Sequence, residues 1–324
     1  MKRREFVSLL AGAVVSWPFA THAQQAPIRI GFLPLGLASN PYDRSLVEAF
    51  RKGLQQVGLI ENRDVVLDVA WIAGDPDTAV ARLVQRGAAL LISCGTSASL
   101  AAKRTAPSIP VIFISVGNPI GIGLVESLSR PGGNATGFSD ALAEVGGKLV
   151  ETAIELGLRQ GPIDYLWHTA WADGQFRLQA TEQVAQSLGV KLRARGIANI
   201  SEADDAIATI KKDGATTMIV QPSPLTFQER TRLIDSANSH GLGAIFAFPA
   251  AAREGALIAY GPDYIHLYLR APLYVERVLK GARPADLPVE EPAKFELIVN
   301  LKVAKELKLE VPLSLLIRAD ELIE

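Results

Sequence analysis

Residues 89 to 115 read ALLISCGTSASLAAKRTAPSIPVIFIS. An apolar run, Ala89 to Ser93, gives way to the small polar loop Gly95-Thr96-Ser97, then to a helix-length segment, and Val111 to Ser115 is a second apolar run. Short apolar runs separated by helix-length segments are the pattern of parallel strands joined by crossover helices. The same alternation extends toward the N-terminus, where Ile28 to Leu33 and Val65 to Trp71 are the preceding strands. Between those two, Val47, Phe50, Leu54 and Val57 fall on one helical face, and Asp75-Pro76 has the form of an N-cap followed by a first-turn proline.

Toward the C-terminus the pattern breaks at Arg130-Pro131-Gly132-Gly133-Asn134 and then begins again. Ile163 to Trp167, Lys191 to Arg195, Thr217 to Val220 and Ala244 to Phe248 read as strands, with helices near Gln175 to Leu188, Glu202 to Lys212 and Thr226 to His240. The fold class is therefore α/β, with two doubly wound parallel-sheet units in series. No short-period repeat or low-complexity tract interrupts them.

The chain opens Met1-Lys2-Arg3-Arg4, continues with an apolar run from Phe6 to Ala20, and reaches small residues at Thr21-His22-Ala23. This is the pattern of a signal peptide over 1–23 removed near Ala23, and it places the mature protein in a periplasm. Arg3-Arg4 fits either a twin-arginine or a general secretory signal. About 15 apolar residues are too few for a spanning helix, which needs about 20, so the protein is not expected to be membrane-embedded. Without Lys2, Arg3, Arg4 and Glu5, the 33 basic and 34 acidic residues of the full chain give a net charge of −3. That charge gives no reason to expect nucleic acid as a partner. The single cysteine, Cys94, precludes an internal disulfide and ends an apolar run, as a buried thiol would.

In open parallel sheets, ligands bind at the carboxyl ends of the strands. The loops at those ends are Pro34 to Asn40, Gly95-Thr96-Ser97, Gly117-Asn118 and Gln221-Pro222-Ser223. Ser97 and Thr226 fall near helix N-termini, where free N–H groups favour a carboxylate, although such residues also serve simply as caps. Trp171 sits in a loop where it could stack on a flat ligand or plug a gap between loop and helix. Tyr42 and Phe248 occupy comparable strand-exit positions. His168, His240 and His266 are far apart and suggest no metal site. Gly121-Ile122-Gly123 follows a strand but meets Glu126 at the third fingerprint position, and no phosphate loop or nucleophile elbow occurs. No cofactor is implied.

Several stretches resemble the ABC transporter substrate-binding protein family that includes the tryptophan-binding lipoproteins. They are MKRREFVSLL (1–10), IGFL (30–33), SVGNPIGIGLVESLSRPGGNATG (115–137), GALIAYG (255–261), LKGARPADLPVEEPAKFELIVN (279–300) and LLIRADELIE (315–324). The resemblance implies a type I periplasmic binding fold: two lobes joined by a three-crossover hinge, with a small-molecule solute between them. The N-terminal lobe would comprise 27–138 plus 262–286, and the C-terminal lobe 139–261 plus 287–324. Crossings would fall near Ser139, Tyr260 and Leu287, with a helix over Ile265 to Leu279 returning to the first lobe and Lys294 to Leu307 running back in the second.

The resemblance further implies that the protein hands its solute to an ABC permease in the inner membrane and is not an enzyme. Carried over loop by loop, it places ligand contacts at Leu35, Ser39, Asn40, Thr96, Ser97, Ser115 and Asn118 in the first lobe and at His168, Trp171, Pro222, Ser223 and Phe248 in the second. Many relatives have Asp where Asn118 stands, which removes a partner for an ammonium and favours a neutral or anionic solute. Two other readings of the sequence remain: a sensor that presents its ligand to a receptor kinase, and an exported enzyme with an unfamiliar site.

Overall fold

The computed structural model describes residues 26–72, 74–158, 161–171 and 173–324, and the expected signal segment lies outside them. In the first lobe, β1 (Ile28–Leu33), β2 (Val65–Val69), β3 (Leu90–Cys94), β4 (Val111–Val116) and β5 (Ala135–Ser139) form a parallel sheet in the order β2-β1-β3-β4-β5. Every residue of β3 and β4 is buried, as expected of central strands covered by helices on both faces. The helix Pro41–Gln56 starts where Asn40 caps it, accepting from the N–H groups of Tyr42 and Asp43 at 2.8 and 3.2 Å.

The second lobe holds β6 (Ile163–His168), β7 (Leu192–Ile197), β8 (Thr217–Val220), β9 (Gly243–Phe246), β10 (Ile258–Pro262), β11 (Phe295–Asn300) and β12 (Glu321–Ile323). Their order is β7-β6-β8-β9-β10-β11-β12. Strands β6 to β10 run parallel, whereas β11 returns antiparallel to β10, so the sheet is mixed at one edge. The antiparallel edge follows from connectivity, because the chain re-enters this lobe from the other one instead of through a crossover helix.

The first passage between lobes follows Ser139, which is buried at the end of β5; its Oγ accepts from the N–H of Ala141, which lies in the left-handed region at φ 50°. The second follows β10, two residues beyond Tyr260, whose ring stacks on Phe295 at 5.7 Å. The single helix expected over 265–279 is two, Tyr264–Arg270 and Pro272–Leu279, because Pro272 lacks the N–H an uninterrupted helix needs. Both pack on the first lobe, where Tyr268 lies 6.3 Å from Phe32 and Tyr274 lies 5.0 Å from Phe138.

Leu287 is not the third passage. Its carbonyl accepts from Thr136 Oγ1 at 2.6 Å, and Glu290 exchanges backbone hydrogen bonds with Ser139 and Gly137 of β5 at 2.8 and 2.9 Å. The chain therefore stays on the edge of the first sheet through Glu290 and crosses before Phe295. Pro284, Pro288 and Pro292 interrupt the hydrophobic periodicity here, so the edge pairing leaves no strand signature in the sequence. Among the described residues, no helix is long and apolar enough to cross a membrane.

Candidate functional site

The carboxyl ends of both sheets face one cleft. Its cavity is lined from the first lobe by Leu35, Gly95, Thr96, Ser115, Gly117, Asp140 and Tyr264. The second lobe contributes Trp171, Arg177, Pro222, Ser223, Pro224, Phe227 and Phe248.

Local sequence explains how each wall is placed. Gly95, at φ 79°, turns the chain out of β3 directly into the helix Thr96–Thr105, which has no side-chain cap at its start. Its first N–H groups are therefore presented at the cavity, where a helix N-terminus favours an anion. Ser115 also has a positive φ, 61°, at a register irregularity in β4, and its buried Oγ has no hydrogen-bond partner. A bulge of this kind re-aims a side chain beside a functional site. Ser223 closes a capping box with Thr226, its Oγ accepting from the Thr226 N–H at 3.1 Å, so its hydroxyl already has local partners.

The aromatic wall is a packed cluster. Phe227 meets Phe248 edge-on at 4.8 Å, and Tyr264 lies 5.9 and 6.2 Å from these two rings. Tyr264 donates from its hydroxyl to Asp140 Oδ2 at 3.4 Å, and burial pushes its ionisation well above the ordinary phenol range.

Two buried charged residues join these rings, and neither was foreseen in the sequence. Asp140 immediately follows β5, so the rule that ligands gather at strand ends pointed to it; Tyr264 lies two residues beyond β10. Arg177, on the helix Gly174–Ser187, is 5% exposed and reaches across the cleft. Its Nε donates to Asp173 at 2.6 Å, its guanidinium lies 4.9 Å from the centre of the Trp171 ring, and its Nη1 is buried without a partner. A Cβ on Gly117 would stand 2.2 Å from Arg177 Nη2, so the guanidinium approaches the first lobe where only glycine fits. Arg177 and Asp140 thus bring charged groups to a cavity for which the sequence had offered only uncharged contacts and His168.

Among the residues expected to touch ligand, Leu35, Thr96, Ser115, Trp171, Pro222, Ser223 and Phe248 line the cavity. Ser97 lines an adjoining recess with Leu35, Gly95 and Thr96. Ser39, Asn40, Asn118 and His168 do not line it. Ser39 is exposed, and its carbonyl accepts from Arg44. Asn40 caps its helix and donates from Nδ2 to Glu254 at 3.2 Å, while Asn118 Oδ1 accepts from the Gly121 N–H at 2.9 Å; both act as caps, the alternative open from sequence. The N–H of His168 donates to Gln221 Oε1, Gln221 Nε2 donates to the Gly174 carbonyl, and burial lowers the His168 pKa. Cys94 is buried at the end of β3, and burial pushes its thiol up to about 12.

Two α/β lobes face each other across a small cavity lined by aromatic and charged side chains. Residues 38–323 match the family model for ABC transporter substrate binding proteins, and the chain belongs to that family. The tyrosine-binding protein of Clostridioides difficile (strain R20291) is 25% identical over 278 residues, covering 85% of this chain and 79% of that protein. The ABC domain from Streptococcus pneumonia in complex with L-Trp superposes with a TM-score of 0.81 at 24% identity, over 92% of this chain and all of that one. The ligand-free, open structure of CD0873 from Clostridium difficile gives 0.67 at 21% identity, over 91% of this chain and 99% of that one.

Proposed function

We propose that this protein captures a small aromatic, amino-acid-like solute between its lobes in the periplasm and delivers it to an ABC permease in the inner membrane. The observation that carries the reading is the cleft itself: Trp171, Phe227, Phe248 and Tyr264 line one cavity at the carboxyl ends of both sheets. The ring cluster supplies apolar area for a flat side chain, and the polar end of the same cavity supplies orientation. The named ligands of the relatives, tyrosine and L-Trp, have this chemistry. Solute binding would hold the lobes together by rotation at the three passages, and a permease would read the closed form.

The test is a thermal-shift screen of aromatic amino acids, aromatic acids and purine-like solutes, followed by small-angle scattering with the best binder. An aromatic amino acid should raise the melting temperature by mass action, and the radius of gyration should fall at saturation. Silence of every aromatic solute, or an unchanged radius at saturation, would overturn the reading.

A further inference from the structure

From the polar end of the cavity we infer that Arg177 and Ser115, with the N-terminus of the helix Thr96–Thr105, form a clamp for a carboxylate, and that this clamp selects acids over the matching amines. The inference rests on the cleft's being the solute site and adds the group by which the solute is recognised. Two buried polar atoms in that cavity have no partner in the protein: Arg177 Nη1 from the second lobe and Ser115 Oγ from the first. Each residue is 5% exposed. Leaving such groups without a partner in a folded interior is unfavourable, so both are explained by a ligand that supplies acceptors.

The geometry selects an oxyanion. A guanidinium offers donors only, in a planar fork that matches a carboxylate. Asp173 takes the Nε of Arg177 at 2.6 Å and the Trp171 ring lies against its guanidinium, so the fork is held in place before ligand arrives. The uncapped N-terminus at Thr96 adds N–H donors and the positive end of the helix dipole. Ser115 supplies a hydroxyl donor on the first lobe. Because Arg177 and Ser115 stand on opposite lobes, a carboxylate between them ties the lobes together, which makes the clamp part of closure as well as of recognition.

The experiment is calorimetric titration of the full mature chain with pairs that differ in the carboxylate: L-tryptophan and tryptamine, L-tyrosine and tyramine, and a non-aromatic pair, L-leucine and isoamylamine. The wild type should bind at least one acid at least tenfold more tightly than its amine. Arg177→Met should weaken that acid at least tenfold while leaving the amine within about threefold, which a general loss of fold would not do. Ser115→Gly suits the positive φ and removes the small hydroxymethyl group with its hydroxyl; it should weaken the acid severalfold with no fall in melting temperature. Leucine binding with tryptophan and tyrosine silent would overturn the aromatic reading and leave the clamp standing. Amines binding as tightly as acids, or Arg177→Met weakening both alike, would overturn the clamp and leave the aromatic reading intact. Binding of no acid in the panel overturns both.

Discussion

Asp43 of the first lobe and Arg230 of the second meet across the lobe boundary at 2.8 Å, and neither side chain has solvent exposure. Arg230 also donates to Glu254 at 2.7 Å and to the Phe227 carbonyl at 2.8 Å, with its guanidinium 4.6 Å from the Phe227 ring. It thus backs one of the rings that face the cavity. Burial pushes the Asp43 carboxyl up despite the adjacent Arg230, so the carboxylate depends on its partner. In a folded interior, deleting one member of such a pair costs about 3–5 kcal/mol because the other charge is stranded.

Lobes that can separate relieve that penalty by opening. Arg230→Met should therefore enlarge the ligand-free radius of gyration and raise the dissociation constant of every solute by one common factor, about tenfold, since apparent affinity scales with the closed fraction. The double variant Asp43→Asn/Arg230→Met should recover most of the loss. Scattering and titration on the three proteins check this, and a loss confined to one solute would show that Arg230 acts through ligand contact instead.

Much of the fold was legible because each lobe repeats one local pattern. Val111–Val116 and Thr217–Val220 are short, mostly apolar and followed by small polar loops, and those features are local. Contacts made by distant segments were not legible. The pairing of Leu287–Glu290 with β5 depends on a chain that has left the lobe and returned. Within the site, loop position located Thr96 and Trp171, and the family resemblance added Ser115. Arg177 was missed because an arginine on a helix ordinarily reads as a solvated face, and only the fold reveals that Gly117 opposite leaves it room. Asn118 and His168 were assigned to the cleft through the family resemblance, yet Asn118 caps a turn and His168 does not line the cavity.

Trp171 bears on both readings of its loop. It is partly buried and lines the cavity, but Arg177 already lies against its ring, so one effect of Trp171→Ala is to release that guanidinium. The affinity for an aromatic amino acid should fall more than tenfold, combining lost aromatic contact of about 0.5–1.5 kcal/mol with lost apolar burial. The urea midpoint should change little. A large fall in midpoint with unchanged affinity would assign the ring to packing alone.

His168 should govern stability and leave binding untouched. Burial lowers its pKa from 6.5, and its Nδ1 is buried without a partner, so the folded state favours the neutral ring. The stability it contributes is present above pH 6.5 and is lost as pH falls from there toward the lower folded pKa. Relative to His168→Gln, the wild type should lose urea midpoint between about pH 7.5 and about pH 5, while the two proteins bind solute within about twofold at neutral pH. Parallel midpoints across that range would remove the burial argument, and a large change in affinity would return His168 to the cleft.

Gly117→Ala tests how closely the two lobes fit around the charge. The added methyl would stand 2.2 Å from Arg177 Nη2 and 3.1 Å from Asp140 Oδ1, closer to the guanidinium than side-chain carbons ever pack. The backbone at 117 is not in the left-handed region, so alanine brings no conformational strain of its own. Of the two neighbours, the end of a long arginine side chain yields more readily than the buried Asp140, and the overpacking should be relieved by moving the guanidinium out of its place against Trp171. The urea midpoint should then fall only slightly. Affinity for a carboxylate solute such as L-tryptophan should drop about tenfold or more, because a displacement of about 1 Å spoils bidentate geometry, and preference over tryptamine should narrow in step. Titration of both compounds against the variant decides the matter: preserved affinity and preserved selectivity would mean that the cation reads the solute from a position the first lobe does not set.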